Sequence, residues 1–317
     1  MLQFLKHIVL FCSLSLIAIG LGGTMLFAIL EKQDTQPVLI QKKIAFFRID
    51  TGKLNIVIAG DSRGEKQIIP KVFEDNFDCN SFNISASAND LISTVYSINE
   101  HYNYPNAEII FVISASSFQI NDGALDLGYL SYFGLSKLGN VSKLKLFYGK
   151  YSGLFSLINR TIINQVVGKF ELTNQSNWRE TKGVSLSDGK INNSLPYTDG
   201  MLKSHPWYKD ISINGYRNEL FNEAFSMMGK SKHRFIIIQP PVSKYFRNAI
   251  EGSSIETMEY NYSKLLKDKA EDYQNVKILD FFTNDIESLV DSMYYDPQHL
   301  NTSGARIFSN ELTRFIK

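Results

Sequence analysis

Residues 55–64 read Asn-Ile-Val-Ile-Ala-Gly-Asp-Ser-Arg-Gly, and this stretch decides the fold. Its apolar, β-branched centre is typical of a strand that is buried on both faces. The glycine and the polar residues that follow it predict a turn from that strand into a helix. Ser62 stands on this turn.

The same pattern recurs along the rest of the chain. Short apolar runs that we interpret as strands follow at 79–84, 108–114, 234–239 and 276–282. Helices are predicted at about 64–77, 90–103, 213–229, 256–273 and 303–316. This alternation predicts an α/β fold with a central parallel sheet and helices on both faces. Reactive side chains are then expected at the carboxyl ends of the strands.

Residues 122–212 interrupt the alternation with a segment rich in Gly, Ser, Asn, Tyr and Leu. Such a long excursion is typical of a lid or a substrate platform rather than of a separate domain. We therefore expect an α/β domain over 48–317 with an insert at about 122–212. Residues 1–47 are predicted to form a membrane anchor and a stalk.

The anchor is predicted over residues 8–30, which are 23 residues without a formal charge and are long enough to cross a bilayer as one helix. A cleaved signal peptide is the alternative, but the apolar run exceeds the usual signal core and 30–32 is not a small-x-small cleavage site. Lys6 before the span and Glu31 after it favour an N-terminus inside the cell. We expect a single-pass protein of the cytoplasmic membrane whose main domain is extracytoplasmic, either periplasmic or extracellular.

Charge and cysteine content exclude several classes of protein. With 33 Lys and Arg residues against 32 Asp and Glu residues, the chain has no basic field, so we expect no nucleic-acid partner. The only cysteines are Cys12 and Cys79, and Cys12 belongs to the predicted anchor. A disulfide within the domain and a structural zinc site are therefore excluded. We expect no cofactor and no metal.

Near the C-terminus, residues 295–301 read Tyr-Asp-Pro-Gln-His-Leu-Asn and place a carboxylate three residues before an imidazole. Asp296 can accept from one ring nitrogen of His299 and leave the other nitrogen to take the proton of Ser62. A serine activated in this way is a nucleophile for acyl chemistry. The simpler interpretation is that Asp61 and Ser62 only cap a helix and that 296–299 is only a polar turn.

Two details of this interpretation stay open. Asp291 is an alternative to Asp296, although its separation of eight residues from His299 fixes less geometry. His101, His205 and His233 have no companion comparable to the Asp296-Pro297 pair and are expected at the surface, with a substrate contact as the alternative for His205.

The residues 60–63, Gly-Asp-Ser-Arg, resemble the first sequence block of the SGNH (GDSL-type) hydrolase superfamily. Residues 296–301, Asp-Pro-Gln-His-Leu-Asn, together with Gly304, resemble its last block. This resemblance implies a flavodoxin-like three-layer sandwich. It also implies Ser62 as nucleophile, His299 as general base and Asp296 as the carboxylate that orients the base.

The middle blocks of the superfamily are not matched. Its members carry a glycine after the second strand and an asparagine after the third, and both supply donors to the oxyanion of the reaction. Here those places read Phe-Asn-Ile-Ser-Ala at 82–86 and Ser-Ala-Ser-Ser-Phe at 114–118. The oxyanion donors that we consider are Ser62, a backbone N–H near Ser85, Asn89 and Ser116, with Asn121 and Ser117 as further possibilities.

Residues 60–64 also fit the G-x-S-x-G turn of α/β-hydrolases. In those enzymes the serine follows several earlier strands, and the acid and the histidine lie on separate loops. Here the serine follows the first predicted strand, and Asp296 is three residues from His299. The order of the motifs therefore favours the SGNH resemblance.

A membrane-anchored chain with unmatched middle blocks is similar to the cell-envelope acyltransferase and esterase branch of that superfamily. The resemblance implies serine-dependent acyl transfer or ester hydrolysis, of O-acetyl groups, on a bacterial surface polysaccharide, with a membrane-bound acyl-donor protein as partner. A catalytically weak or inactive envelope protein that binds polysaccharide or assists its assembly is the alternative. A cytoplasmic lipase-like esterase is a third interpretation and depends on topology.

Overall fold

The computed structural model describes residues 54–86, 94–95, 98, 107–112, 181–189, 215–284 and 286–316, together with Phe11 and Lys43, and without the side chains of 215–220. Within these residues, none of the helices combines the length and the apolar character that a membrane crossing requires. Apart from Phe11, the predicted anchor lies outside the described residues, and so does most of the predicted insert.

A five-stranded parallel sheet forms the centre of the described fold. Its strands are β1 (Ile56–Gly60), β2 (Ser81–Asn83), β3 (Glu108–Val112), β4 (Arg234–Gln239) and β5 (Val276–Asp280). They lie in the order β2-β1-β3-β4-β5, and every neighbouring pair is parallel. The prediction of an α/β fold with a central parallel sheet is confirmed.

Helices and one small ribbon accompany the sheet. The helices are α1 (Ser62–Gln67), α2 (Pro70–Asn76), α3 (Gly215–Lys230), α4 (Lys244–Ile250), α5 (Ser254–Ala270) and α6 (Thr302–Thr313). A 3-10 turn at Asp291–Met293 leads into an antiparallel ribbon of β6 (Tyr294–Asp296) and β7 (His299–Leu300). Of the helix predicted at 90–103, the structure describes only 94, 95 and 98, which are helical.

The single helix predicted over 64–77 is wrong, because the chain forms two short helices there. Ile68 and Ile69 are extended between α1 and α2, and Pro70 is the first residue of α2. Proline disfavours a helical residue before it and has no N–H to continue the ladder, but it suits the first helical position. Pro70 therefore ends one helix and begins the next.

Both faces of the sheet are buried. Val57 and Ala59 of β1 belong to one core with side chains of α3 and α5, whereas Ile56 and Ile58 belong to another core with side chains of α2 and α6. This alternation follows from the two-residue period of a strand. With both faces covered by apolar side chains, polar residues such as Asp61, Ser62 and Gln239 gather at the carboxyl edge.

Strand β1 lies between β2 and β3, so the chain leaves β1 to one side of the sheet and later fills the other side. In open α/β sheets, ligands bind in the crevice beyond the carboxyl end of the strand at such a reversal. Ser62 is the second residue after β1 and therefore lies at this crevice.

Candidate active site

The turn between β1 and α1 depends on Gly60. Its φ is +132°, a conformation that side chains with a Cβ rarely adopt, and a Cβ there would lie 2.0 Å from the carbonyl oxygen of Val112. The backbone of β1 can thus pass close to the end of β3 only with glycine at this position. The next residue, Asp61, turns the chain into α1.

Asp61 and Ser62 have different tasks on this turn. Asp61 is the N-cap of α1, and its carboxylate accepts from the backbone N–H of Arg63 at 2.9 Å. Ser62 is the first helical residue, so its hydroxyl is not needed as the cap. The capping interpretation therefore holds for Asp61 and leaves the hydroxyl of Ser62 for another partner.

That partner is His299, 237 positions later in the chain. The Ser62 Oγ lies 2.8 Å from the His299 Nε2. On the other side of the ring, the His299 Nδ1 lies 2.8 Å from Oδ2 and 3.0 Å from Oδ1 of Asp296. The structure thus brings the three residues that we considered catalytic into one hydrogen-bonded chain, and a carboxylate that binds Nδ1–H leaves Nε2 as the acceptor for the serine proton.

The carboxylate of Asp296 is held by the backbone as well as by the imidazole. Its Oδ1 accepts from the N–H groups of Gln298 and His299, each at 2.9 Å. Burial alone raises the pKa of Asp296, but the hydrogen bond and charge of His299, the N–H of Gln298 and the hydroxyl of Tyr295 outweigh burial and lower that pKa below its usual value. Asp296 is therefore ionised at neutral pH and ready to bind an N–H.

Asp291, the alternative acid, has a different task. Its Oδ1 accepts from the backbone N–H of Lys244, the first residue of α4, at 2.9 Å. The Nδ1 of His299 is already bound to Asp296. Of the two candidate acids, Asp296 is therefore the one that contacts His299.

The ribbon that carries Asp296 and His299 is fixed to its surroundings through the two residues between them. The carbonyl oxygen of Pro297 accepts from the hydroxyl of Ser243 at 2.9 Å, and the carbonyl oxygen of Gln298 accepts from the side chain of Gln67 at 2.7 Å. Gln67 is the last residue of α1, the helix that begins with Ser62. The contact between Ser62 and His299 is thus supported at both ends of the same short helix.

The candidate donors to the oxyanion differ in whether their N–H groups have an acceptor in the structure. The backbone N–H of Ser62 belongs to the first turn of α1, where N–H groups have no acceptor within the helix. The structure does not support Ser85, because its N–H donates to Oδ1 of Asn83 at 2.9 Å and its side chain is fully buried. Asn89 and Ser116 lie outside the described residues, and so do Asn121 and Ser117.

A buried lysine near the site was not anticipated from the sequence. The Nζ of Lys43 donates to the carbonyl oxygen of Ser85 at 2.7 Å and lies 3.3 Å from Oε1 of Glu65 on α1. Burial lowers the pKa of Lys43, and the charge of Glu65 opposes that shift. Nothing in the sequence around Lys43 marks it as buried, since the pair depends on a tertiary contact.

A second buried ionisable group, Glu259, lies on α5 near the carboxyl end of β4. The side chain of Glu259 is hydrogen-bonded to Gln239 at the end of β4, at 3.2 Å. Burial raises the pKa of Glu259 to about 7, although the charge of Arg63 and the bond from Gln239 oppose the rise, while Asp280 and Asp61 add to it. Sequence analysis missed this residue, because a glutamate in a helix is usually exposed.

His233 corrects another expectation. It is 5% exposed rather than at the surface, and its ring meets that of Phe235 edge-on with centroids 6.4 Å apart. It lies at the entrance of β4 and not at the carboxyl edge that holds Ser62. His101 and His205 lie outside the described residues.

Known proteins that resemble this chain are distant. No family model matches the chain, and no curated protein matches it. One solved structure, a protein from Streptococcus pneumonia named as a candidate platelet activating factor, shares 14% sequence identity and a TM-score of 0.44 over 94% of this chain and 99% of its own. A likeness at this level establishes neither a shared fold nor a shared activity.

Proposed function

We propose that this protein is a serine-dependent acyltransferase or esterase. The observation that carries the proposal is the continuous chain from the Ser62 hydroxyl through both ring nitrogens of His299 to the carboxylate of Asp296, with 2.8 Å at each link. A serine hydroxyl is a poor nucleophile until a base takes its proton, and this geometry supplies the base and its orienting acid.

In the proposed reaction, Ser62 Oγ attacks the carbonyl carbon of an acyl ester while His299 Nε2 takes the hydroxyl proton. Asp296 stabilises the resulting imidazolium through the Nδ1–H bond. The tetrahedral intermediate then expels the alcohol, which receives the proton from His299, and an acyl-Ser62 ester remains. Water or a sugar hydroxyl attacks this ester while His299 again takes a proton, and that proton returns to Ser62 when the acyl product leaves.

The backbone N–H of Ser62 is the donor that we propose for the oxyanion, because it opens a helix and lies next to the nucleophile. The partial positive charge of a helix N-terminus favours a developing oxyanion in the same place. A second donor from the segments around Asn89 or Ser116 belongs to this proposal as well.

Two sequence blocks and the strand order support an SGNH-type enzyme. The blocks at 60–63 and 296–301 supply the residues that meet at the carboxyl edge of the sheet. The order β2-β1-β3-β4-β5 is that of flavodoxin-like folds, in which the site lies at the end of β1. We therefore propose a flavodoxin-like three-layer domain over 48–317 that carries the insert at about 122–212.

The substrate that we propose is an O-acetylated polysaccharide of the bacterial cell surface. The apolar stretch at 8–30 supports a single-pass anchor in the cytoplasmic membrane, with the domain outside and a membrane-bound acyl-donor protein as partner. Alkaline phosphatase fused after residue 50 reports on this placement. The fusion should be active in intact cells, and an inactive fusion at normal expression would contradict the external domain.

One observation favours the alternative, a catalytically weak envelope protein that binds polysaccharide. The N–H of Ser85, where the superfamily places an oxyanion donor, is occupied by Asn83. Losing one such donor costs about 2.7–4 kcal/mol of transition-state stabilisation. This alternative predicts a Ser62 that reacts with a serine-directed reagent although the protein turns over ester substrates slowly.

The test is covalent trapping of the full-length protein with a fluorophosphonate, followed by peptide mapping and by hydrolysis of p-nitrophenyl acetate. Label should fall on Ser62, and Ser62→Ala should lose both labelling and hydrolysis. Ser288→Ala is the matched control, because Ser288 is exposed and is not part of the Ser62–His299–Asp296 chain. Equal hydrolysis of the acetate and of native glycan by the wild type and Ser62→Ala would end the enzymatic proposal.

A further inference from the structure

A lysine and a tyrosine flank the Ser62–His299 contact and join the same two elements. Lys66 lies four residues after Ser62 on α1, so the two side chains lie on the same side of the helix, one turn apart. Tyr295 lies on β6 of the ribbon, directly before Asp296. Lys66 thus lies one helical turn from Ser62, and Tyr295 is the sequence neighbour of Asp296.

The contacts between these two side chains are specific. The Nζ of Lys66 donates to the hydroxyl of Tyr295 at 3.2 Å and lies 4.9 Å from the centre of its ring. The Tyr295 ring lies beside that of His299, with centroids 5.8 Å apart and planes inclined at 39°. Gly189, within the predicted insert, approaches the Tyr295 side chain closely enough for an added Cβ to lie 3.5 Å from the Cβ and the Cδ2 of that tyrosine.

The chemistry of the two groups fixes the direction of the hydrogen bonds. An ammonium group has donors and no acceptor, so the Tyr295 oxygen must accept from Lys66. The proton of the tyrosine hydroxyl is then available for a different acceptor. That hydroxyl is also among the groups that lower the pKa of the neighbouring Asp296 carboxyl after burial has raised it.

We propose that Lys66 and Tyr295 are positioning residues that fix the ring of His299 relative to helix α1 and so to Ser62. This inference rests on the proposed function of Ser62. Tyr295 holds the ring of His299 by contact. Lys66 binds the hydroxyl of Tyr295 and holds a positive charge over the Tyr295 ring, on the side of the site that α1 provides.

The groups that face Asp296 come from two sides. The ribbon contributes the imidazole of His299, the N–H groups of Gln298 and His299, and the hydroxyl of Tyr295. Helix α1 contributes the ammonium of Lys66 through Tyr295. Removing the hydroxyl or the cation therefore makes it easier to add a proton to the Asp296–His299 pair, so the base is lost at higher pH.

Conservative variants separate this role from simple packing. Tyr295→Phe keeps the ring against His299 and removes only the hydroxyl, and Lys66→Met keeps an apolar stem and removes only the charge. We expect the acidic limb of the kcat/KM profile to move to higher pH in both, with about threefold to tenfold loss at pH 5 and less than about twofold at pH 8. Lys66→Arg should restore most of the loss, and the double variant should lose little more than either single variant.

Matched controls are available on other helices. Tyr260→Phe removes a hydroxyl from a half-exposed tyrosine that packs on Phe282, and Lys71→Met removes an exposed cation paired with Asp75. Neither should move the acidic limb. Unshifted limbs in both Tyr295→Phe and Lys66→Met would overturn the proposal. A rise in KM that depends on substrate charge, with an unshifted limb, would also overturn it and make the pair a substrate contact.

A readout without turnover distinguishes failure of this inference from failure of the proposed function. The proton between His299 Nδ1 and Asp296 should give a low-field 1H resonance in the full-length protein labelled with 15N-histidine. Tyr295→Phe should shift this resonance and begin its titration at higher pH, even if acetate hydrolysis proves independent of Ser62. A resonance with the same position and titration in wild type and variant would refute the positioning role of Tyr295.

Discussion

Asp296→Asn tests the catalytic assignment most directly, because the structure dictates how the amide must lie. In the wild type, Oδ1 of Asp296 accepts from two backbone N–H groups, those of Gln298 and His299. An asparagine must keep its oxygen at that place, since an NH2 group there would face two donors. The NH2 group therefore takes the place of Oδ2, which lies 2.8 Å from His299 Nδ1.

The consequence is a reversed hydrogen bond at the base. An NH2 group donates to Nδ1, so the ring proton moves to Nε2, and that nitrogen can no longer accept from Ser62. The substitution leaves the shape of the site intact, and the loss of the correct tautomer in a serine triad costs about 10⁴-fold in kcat. We expect a loss of about 10³- to 10⁴-fold, or about 4–5.5 kcal/mol in activation free energy.

The assay is p-nitrophenyl acetate hydrolysis at pH 7.5, with urea unfolding as the check on folding. Asp291→Asn is the matched control, because its amide oxygen can still accept from the N–H of Lys244. It should keep at least half of the wild-type kcat. If Asp296→Asn retains more than about a tenth of the activity while Asp291→Asn falls further, Asp296 is not the orienting acid and the argument from Oδ1 and Oδ2 is mistaken.

Two further predictions concern stability and are checked by urea unfolding. Gly60→Ala should destabilise the protein by at least about 3 kcal/mol, because φ is +132° and the new Cβ meets the Val112 carbonyl oxygen. The control Gly252→Ala, with φ +68° and open space around the new Cβ, should cost about 1 kcal/mol. Similar losses of stability in the two variants would contradict the close approach of Gly60 to Val112. The pKa of Glu259 rises on folding from 4.5 to about 7, so the folded state binds the extra proton and stability falls as pH rises through this window, by up to about 3 kcal/mol. Glu259→Gln should remove this fall, and a wild type that is equally stable at pH 5 and pH 8 would count against a neutral buried carboxyl.

Much of the fold could be predicted from local patterns. Strands that are buried on both faces read as short apolar runs, and β1 and β4 follow the predicted ranges closely. The break at Pro70 is also a local signal, since the ring of a proline disfavours a helical residue before it and its missing N–H ends the helical ladder. The ribbon at 294–300 was not readable, because strands of three and two residues are too short to show alternation.

The residues of the candidate site also fall into those that local sequence indicates and those that only the tertiary structure reveals. Ser62 and the Asp296–His299 pair carry their signal in a few neighbouring residues, so the sequence could indicate them. Lys66 and Tyr295 belong to no local sequence motif. Their contact becomes visible only in the folded protein, where the ribbon packs against α1. The buried carboxyl of Glu259 is similar, because its partner Gln239 is 20 positions away.

His299, the proposed base, is carried by an element outside the central sheet. The ribbon is a sheet of its own, and Tyr294 and Leu300 anchor it in the core that α6 shares. The two residues between Asp296 and His299 are tied to the rest of the molecule by hydrogen bonds from the side chain of Gln67 and from the hydroxyl and backbone N–H of Ser243. These bonds lie within one residue of Asp296 or His299, so they help to set the distance between Ser62 and His299. Residues that join α1 to the ribbon can therefore control the proposed chemistry through the position of the base.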